Sequence, residues 1–336
     1  INSISALTAS TEIEEIHAYR NNLTTLEGVQ DAISLRRANF GDNNLTDVSQ
    51  LAALTDLEYL GLPHNENLVN IAALSALVEL ETLEIQGCNI EDISALSGMV
   101  DLESLNFHDN EVEDITPLSG LVQLEQLRMN NNDLENMADL SALSGMEDLT
   151  YLEMHNCNVH SLEGMQGLEN LERLHAYGQD LPGPGKIAPL FGLDDLEELN
   201  LGGSDIDDIT GIEAITSLKK LWLYENDIES VATFAGGALD RLWYLSLSNN
   251  DLDDLQGLSG LNDLEELYVN DNSLDTIEHL TDVSNLWKLH AEDNNLDDDD
   301  IAVLSALDGP SNLTWLHLGY NDIEKTNHIG QLSDLV

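Results

Sequence analysis

One short pattern recurs through the whole chain and restricts its fold more than any other feature. The pattern is LxxLxLxxNxL, and fourteen copies of it follow one another in register over the 336 residues. Eight of the thirteen steps between copies are 22 residues long, and the others are 23 to 27 residues. Such a period indicates stacked units that each bury one face against their neighbours. Position 1 of the copies is occupied by Ile13, Leu35, Leu57, Leu80, Leu102, Leu124, Leu149, Leu171, Leu196, Leu218, Leu242, Leu264, Leu286 and Leu313.

The spacing within a copy predicts a short strand followed by a turn. Apolar residues at positions 4 and 6, such as Leu105 and Phe107, alternate with others, so we expect positions 2, 3, 5, 7 and 8 to face outward. The asparagine at position 9 is expected to bond with backbone groups of the turn and with its counterparts in neighbouring copies. The rest of each copy is too short for a long helix and predicts a turn with a 3₁₀ or brief helical segment.

These copies resemble the repeat of the internalin-type bacterial leucine-rich-repeat proteins. The resemblance is carried by the 22-residue unit and by Asp-Ile-x-Pro-Leu after the asparagine turn, at 114–118 and in part at 187–190. It covers essentially the whole chain and implies an α/β-type solenoid, a leucine-rich-repeat horseshoe of about 14 repeats with a parallel concave β-sheet and convex turns or 3₁₀ segments. It also implies a cell-surface protein that binds partner proteins on the concave face.

We expect residues 1–336 to form one solenoid domain. Ile1 matches position 11 of the pattern and Leu335 matches position 1 of a fifteenth copy, so both ends fall inside repeats. We therefore expect the native polypeptide to extend in both directions, or copies stacked head to tail to cover its ends. The Pro-Gly run at 181–186 predicts a widened turn, with a hinge in the solenoid as the alternative.

The charge of the chain restricts its partners. Sixty-four acidic residues against eleven basic ones give a formal net charge of −53. Such a chain repels the phosphates of nucleic acids and of anionic membranes, and no stretch is apolar for long enough to insert into a membrane. The charge favours a halophilic or marine source, where salt screens repulsion, and the alternative is an acidic surface protein bathed in calcium.

The two cysteines do not predict a disulfide. Cys88 and Cys157 both occupy position 9, three copies apart. Strands stacked at the usual spacing place them on the order of 14 Å from each other, which is too far for a bond between their sulfur atoms. We predict that both are buried substitutes for the asparagine.

Aromatic residues are concentrated at the outward positions, which hold all eight tyrosines and all four tryptophans. Exposed aromatic rings and arginines dominate the binding energy of protein interfaces, so we predict a ligand-binding concave face that takes a protein or a glycan. The alternative is that large side chains simply cover the sheet. A second patch, Arg20, Arg36 and Arg37, either binds or compensates the nearby acids Glu14, Glu15 and Asp42. The densest part of the face is Trp222, Tyr224, Trp243, Tyr244, Tyr268, Trp287, His290, Trp315, His317 and Tyr320.

Two sets of residues are weak candidates for metal binding. His290 and His317 share position 5 of adjacent copies, with Glu292, Asp293 and Tyr320 close by, so they are either a transition-metal site or ordinary members of the aromatic face. No cofactor other than Ca²⁺ is suggested, and no EF-hand spacing occurs, so a diffuse ion atmosphere around the acidic turns is the alternative. The weak candidates for Ca²⁺ in these turns are Asp92, Asp114, Asp208, Asp254 and Asp298.

No motif for catalysis is present, since the chain lacks Gly-x-Ser-x-Gly, a P-loop and His-Glu-x-x-His. We therefore predict an extracellular or cell-surface module for recognition or adhesion rather than an enzyme. The alternative is a structural repeat protein whose copies form a surface layer, a stalk or a head-to-tail filament. A third possibility is an intracellular scaffold of the phosphatase-regulator type, which shares the 22-residue unit.

Overall fold

The computed structural model describes residues 1–7, 11–235, 238–304 and 313–325. The incomplete fifteenth copy that begins at Leu335 lies outside these residues. The chain divides into two compact units, Ile1–Leu171 and Glu172–Val336. Each unit contains seven of the fourteen strands found in the described residues, so the predicted number of about 14 repeats is confirmed.

The strands of the first unit pair in parallel and in chain order, without closing on themselves. Each is three residues long and begins at position 3 of its copy. Leu83, for example, lies between Leu60 and Leu105, so residues at the same position face one another across the sheet. The strands are β1 (Glu15–His17), β2 (Arg37–Asn39), β3 (Tyr59–Gly61), β4 (Thr82–Glu84), β5 (Ser104–Asn106), β6 (Gln126–Arg128) and β7 (Tyr151–Glu153).

The second unit repeats this arrangement with seven further parallel strands. Residues at the same position of successive copies are again register partners, and Leu245 lies between Leu221 and Leu267. A row of side chains at one position therefore forms along each unit, separated by the distance between strands, about 4.8 Å. The strands are β8 (Arg173–His175), β9 (Glu198–Asn200), β10 (Lys220–Trp222), β11 (Tyr244–Ser246), β12 (Glu266–Tyr268), β13 (Lys288–His290) and β14 (Trp315–His317).

Short 3₁₀ segments lie on the return path of the repeats, as the length of that part predicts. The longest step between copies instead holds the α-helix α1, Asp298–Leu304, whose first turn is acidic as the helix dipole favours. The segments of the first unit are Ser5–Leu7, Val29–Asp31, Ser49–Ala53, Ala72–Ala76, Ser94–Leu96, Thr116–Gly120, Ser141–Leu143 and Met165–Gly167. Those of the second unit are Ala188–Leu190, Ile212–Ala214, Ala232–Phe234, Leu258–Gly260 and Glu278–Leu280.

The Pro-Gly run at 181–186 forms a turn, as predicted. Gly183 and Gly185 adopt φ angles of 87° and 75°, which are accessible to glycine without steric cost. The backbone N–H of Gly183 donates to Asp207 at 3.1 Å. Among the described residues, no helix has the length and apolar character needed to cross a lipid bilayer.

The core consists of the apolar positions of the pattern. In the copy that begins at Leu102, the side chains at positions 1, 4, 6 and 11 are fully buried, and so are three further apolar residues of the return path. Full burial of one such side chain stabilises the fold by about 1.5–3 kcal/mol, so each repeat contributes its own share of the core. The seven residues are Leu102, Leu105, Phe107, Val112, Ile115, Leu118 and Leu121.

The buried asparagine at position 9 fastens each turn to the preceding repeat. In Asn226, the amide nitrogen donates to the carbonyl oxygens of Leu201 and Leu223 at 3.0 and 3.1 Å, and the amide oxygen accepts the backbone N–H of Ile206 at 3.0 Å. The bond to Leu201 and the bond from Ile206 both reach the preceding copy. The amides thus bond across repeats to backbone groups, whereas the sequence analysis also expected bonds between the amides themselves. The same arrangement recurs at Asn43, Asn65, Asn110, Asn132, Asn250, Asn272, Asn294 and Asn321.

Cysteine takes over part of this role at two positions, as predicted. The thiols of Cys88 and Cys157 are free and buried, and each donates to a carbonyl oxygen of the preceding copy, that of Leu62 at 3.6 Å and that of Met129 at 3.2 Å. Burial raises the pKa of the Cys88 thiol to about 11 and that of Cys157 to about 12. Both therefore remain protonated and unreactive at neutral pH.

Position 8 adopts a left-handed backbone conformation in every one of the fourteen copies, which the sequence analysis did not anticipate. Asn, Asp and Gly tolerate positive φ best, and they occupy most of these positions. Arg20, His64, Glu225 and Tyr320 are the exceptions, with φ between 54° and 55°. This position is therefore a turn residue rather than an extension of the strand, and Tyr320 lies on a turn.

The acidic residues proposed as Ca²⁺ candidates already have partners within the chain. Carboxylate oxygens of Asp92, Asp114, Asp208 and Asp254 accept the backbone N–H two residues ahead, at 2.7–2.9 Å, where the 3₁₀ path begins. This N–H bond, from Ser94, lowers the pKa of Asp92. Asp298 differs, because its carboxylate accepts the backbone N–H of Lys325 at 2.7 Å and the Lys325 ammonium at 3.1 Å. Binding of Ca²⁺ by these residues stays a prediction.

Replacing Asn226 with alanine is expected to lower the free energy of unfolding by about 1–3 kcal/mol, because buried backbone groups lose their partners. Chemical denaturation followed by circular dichroism measures the change. The control is Asn262→Ala, since the exposed Asn262 amide donates to the Gly260 carbonyl of its own copy. An equal effect of the two replacements would contradict the fastening role of position 9.

The melting temperature is expected to rise as NaCl or KCl increases from about 0.05 M to about 2 M. The physical reason is that salt screens the repulsion within a chain of net charge −53. Chloride salts are the appropriate choice, since sulfate stabilises proteins generally through its exclusion from their surface. A flat response would contradict the prediction. Stabilisation by micromolar Ca²⁺, without an effect of Na⁺ at that concentration, would indicate specific sites in the acidic turns.

Candidate functional site

Five rings at outward positions of β10 to β14 form a continuous row on the second unit. We call Trp222, Tyr244, Tyr268, His290 and His317 the ring row. Successive ring centroids are 5.1, 5.3, 4.8 and 4.1 Å apart. These distances follow the spacing between strands and lie within the range of favourable aromatic contact, or just below it for the two histidines. The row arises because the strands stack in register, with each ring at position 3 or 5 of its copy.

Further predicted residues flank this row. Trp243 lies edge-on to Tyr244 at 6.0 Å, and Trp315 is stacked with His317 at 6.3 Å. Trp287 is linked to the row through Lys288, because the Lys288 ammonium lies 5.8 Å from the Trp287 ring centroid and 5.0 Å from the Tyr268 ring centroid. Trp315 is exposed, at 49%, whereas the five rings of the row are less exposed and belong to the half-buried residues.

Two predicted tyrosines lie apart from the row. The Tyr224 ring covers Gly202 of the preceding copy, where an added Cβ would come within 2.5 Å of the ring. Tyr320 is 86% exposed on its left-handed turn and borders a groove with Asp271 and Asp293. The structure therefore brings eight of the ten predicted residues into one aromatic surface, whereas Tyr224 packs over the preceding copy and Tyr320 borders the groove next to His317.

Lysines that the sequence analysis did not include complete this surface. The Lys220 ammonium pairs with Glu198 at 2.9 Å and lies 5.3 Å from the Trp243 ring centroid. Lys288 likewise pairs with Glu266 at 3.5 Å and lies 5.0 Å from the centroid of the Tyr268 ring. Their occurrence at position 3, opposite glutamates at position 3 of the preceding copy, is the sequence signal that could have identified them.

The hydroxyl groups of the central tyrosines remain protonated at neutral pH. Burial raises the pKa of both Tyr244 and Tyr268. The Tyr268 hydroxyl donates to Glu266 at 2.9 Å, the same carboxylate that pairs with Lys288. The surface therefore presents neutral rings beside neutralised lysine–glutamate pairs, within a protein that is otherwise strongly acidic.

The two histidines at the end of the row share one carboxylate. Glu292 lies 2.9 Å from the Nδ1 atom of His317 and 3.5 Å from the Nδ1 atom of His290. Burial lowers the pKa of His290, which favours its neutral form. The three side chains are the one group of three or more potential ligands found among the described residues.

The predicted basic patch lies on the first unit and consists of ion pairs. Arg20 pairs with Asp42 at 3.5 Å and Arg37 with Glu15 at 3.9 Å, so the expected local compensation is present. Arg36 pairs with the carboxylate of Glu58, a partner that the sequence analysis did not consider. A similar ion pair was missed between Arg128 and Glu153 at 3.5 Å, and Arg128 also lies 4.8 Å from the Tyr151 ring centroid.

Comparison with known families and structures supports the fold. The family model "Leucine Rich repeats (2 copies)" matches residues 78–120, and "Leucine rich repeat" matches residues 216–274. No curated protein matches the sequence significantly. An internalin, InlF of Listeria monocytogenes, matches at a TM-score of 0.78 with 25% identity, over 97% of this chain and 86% of that chain.

Two other solved structures share the fold at lower identity. A leucine-rich-repeat protein of Leptospira interrogans has a TM-score of 0.81 and 24% identity, with 92% of this chain and 78% of that chain covered. The plant peptide hormone receptor RGFR1, solved in complex with RGF2, has a TM-score of 0.73 and 20% identity, with 95% and 52% covered. The repeat geometry, the two family models and the internalin neighbour together show a leucine-rich-repeat fold and support a likeness to the internalin-like family.

Proposed function

We propose that this protein is an extracellular or cell-surface recognition and adhesion module that binds an extended protein segment or a glycan on its aromatic surface. The observation that carries the proposal is the ring row, five contacting rings on five successive strands. Leucine-rich-repeat proteins of this type are typically binding modules without enzymatic activity, and we propose no catalytic step.

The rigidity of the ring row supports this role. Each ring contacts its neighbours, and the strand register fixes the Cα positions beneath them. A ligand therefore meets rings that have already lost most of their rotational freedom, so binding carries a smaller entropic penalty. Aromatic side chains of this kind are frequent energetic centres of interfaces, since each presents a large apolar area with a polar edge.

The local charge pattern favours a neutral or mildly cationic ligand. Lys220 and Lys288 are paired with glutamates, so the surface has no excess of cations to attract a polyanion. The net charge of −53 repels nucleic acid and anionic lipid at longer range. A neutral oligosaccharide or an extended peptide fits the row, because both present flat apolar groups together with hydrogen-bonding groups.

Of the two ligand classes, an oligosaccharide and an extended peptide, the structural neighbours support the peptide. RGFR1, which shares the fold, was solved with RGF2 bound. The internalin and receptor neighbours also support a position outside the cell. We further propose a saline or calcium-rich surrounding, since the excess of 53 negative charges favours screening by ions.

Binding is expected to change the intrinsic fluorescence of the protein, because all four tryptophans lie on or beside the ring row. The double replacement Tyr244→Ala and Tyr268→Ala removes the middle of the row and leaves every tryptophan reporter in place. We expect it to weaken binding of neutral oligosaccharides or extended peptides at least tenfold, since loss of a central aromatic group costs more than about 1 kcal/mol. Fluorescence titration of a ligand panel measures this effect.

The matched control is the double replacement Tyr59→Ala and Tyr151→Ala. It removes two half-buried tyrosines that occupy position 3 of two repeats in the first unit. Circular dichroism establishes that both variants remain folded. A ligand that binds the Tyr244 and Tyr268 variant as tightly as the parent protein would contradict the proposal. Ordered polymers of the native protein in electron micrographs would instead favour the surface layer, stalk or filament.

A further inference from the structure

Three potential metal ligands meet at the end of the ring row, on two neighbouring strands. His290 and His317 are the last residues of β13 and β14, and they are register partners. Glu292 follows β13 by two residues, and its carboxylate oxygens lie near the Nδ1 atoms of both imidazoles. One ligand atom from each residue can be chosen so that all three atoms lie within 4.8 Å of one another. Metal–ligand distances are about 2.0–2.2 Å, so two atoms that bind the same ion lie at most about 4.4 Å apart. Small side-chain rotations therefore suffice for one ion to contact all three residues.

Unsatisfied polar atoms in this group are a second and independent observation. Among the described residues, the buried Nε2 atom of His290 has no hydrogen-bond partner, and the buried Oε2 atom of Glu292 has only its 3.5 Å contact with the Nδ1 atom of His290. A buried polar atom without a partner destabilises the fold, so such atoms are uncommon unless a further group satisfies them. A cation bound by the carboxylate would satisfy Oε2 and would also relieve the negative charge there.

The chemistry of the donors indicates which class of ion fits. Two imidazole nitrogens and one carboxylate oxygen suit zinc and similar divalent transition metals, whereas Ca²⁺ and Mg²⁺ prefer sets made only of oxygen. The adjoining groove is bordered by Asp271, Asp293 and Tyr320, so the surroundings attract cations. The His317 side chain is 42% exposed, which gives an ion access from solvent.

We propose that His290, Glu292 and His317 bind one divalent transition-metal ion of the zinc class. Three protein ligands leave a coordination position for water or for a donor atom of a bound ligand, on the side of the groove. The ion would lie at one end of the ring row, where it adds a directional contact to an otherwise apolar surface. The competing interpretation is an ion pair between Glu292 and protonated histidines, which binds no metal.

The test uses the full chain without a histidine tag, freed of metal by a chelator. Zn²⁺ is titrated by calorimetry in excess Ca²⁺, which occupies the exposed carboxylates, and Co²⁺ is followed by its visible absorption. We expect one Zn²⁺ per chain and the intense Co²⁺ bands of a tetrahedral site. Glu292→Gln and His317→Asn should each weaken binding at least tenfold, since even outer partners of metal ligands alter affinity 10–100-fold.

The matched control is His175→Asn. His175 also occupies position 5 of a repeat in the second unit and lies beside Trp222, but it contacts Glu198 at 3.9 Å and its register partner on β9 is Asn200 rather than a histidine. This variant should bind Zn²⁺ like the parent chain, and thermal melting shows that each variant is folded. Glu292→Gln keeps the size of the side chain, so its result stands even if a histidine variant unfolds.

Equal Zn²⁺ affinity in the parent chain and Glu292→Gln would overturn the proposal. So would loss of all binding in excess Ca²⁺, or the weak Co²⁺ spectrum of an octahedral oxygen site, since both indicate diffuse binding to surface carboxylates. The experiment uses the metal ion alone, so its outcome does not depend on the recognition role proposed above.

Discussion

The side-chain amide at position 9 is the interaction on which the rest of the structure depends. A turn of the chain leaves buried backbone groups that no sheet can satisfy, and Asn226 bonds to such groups both in its own turn and in the preceding copy. The same residue type therefore closes the turn and joins it to the preceding repeat. Cys88 and Cys157 show that a smaller donor suffices in places, since each thiol reaches a carbonyl oxygen of the preceding copy.

Most of the fold could be predicted from the sequence because it depends on local spacing. The alternation of leucines fixes which face of each strand is buried, and the 22-residue step fixes the parallel pairing. The left-handed backbone at position 8 was not predicted, although the frequency of Asn, Asp and Gly there carries the signal. Residues such as Glu225 and Tyr320 weaken that signal, because their residue types rarely adopt positive φ. In this fold the surrounding structure holds them in that conformation.

The candidate site was predictable in composition and less so in geometry. The outward positions of the tryptophans and tyrosines identified the surface, since strand periodicity alone determines which side chains face outward. Tyr224 was assigned to it as well, yet its ring packs over Gly202, because the glycine leaves space that only the structure reveals. The lysines were missed for another reason. Their role depends on glutamates 22 residues earlier, so each lysine has to be compared with position 3 of the preceding copy, and a search for aromatic residues alone does not make that comparison.

The in-phase register has a consequence for how such a protein changes over evolutionary time. Residues at one position of successive copies are register partners, so His290 and His317 are neighbours although 27 residues separate them. Duplication of a single repeat would insert one more member into every row and lengthen the surface by one strand, about 4.8 Å. The reach of the surface along a ligand can therefore grow or shrink by whole repeats through recombination, without any redesign of the interior.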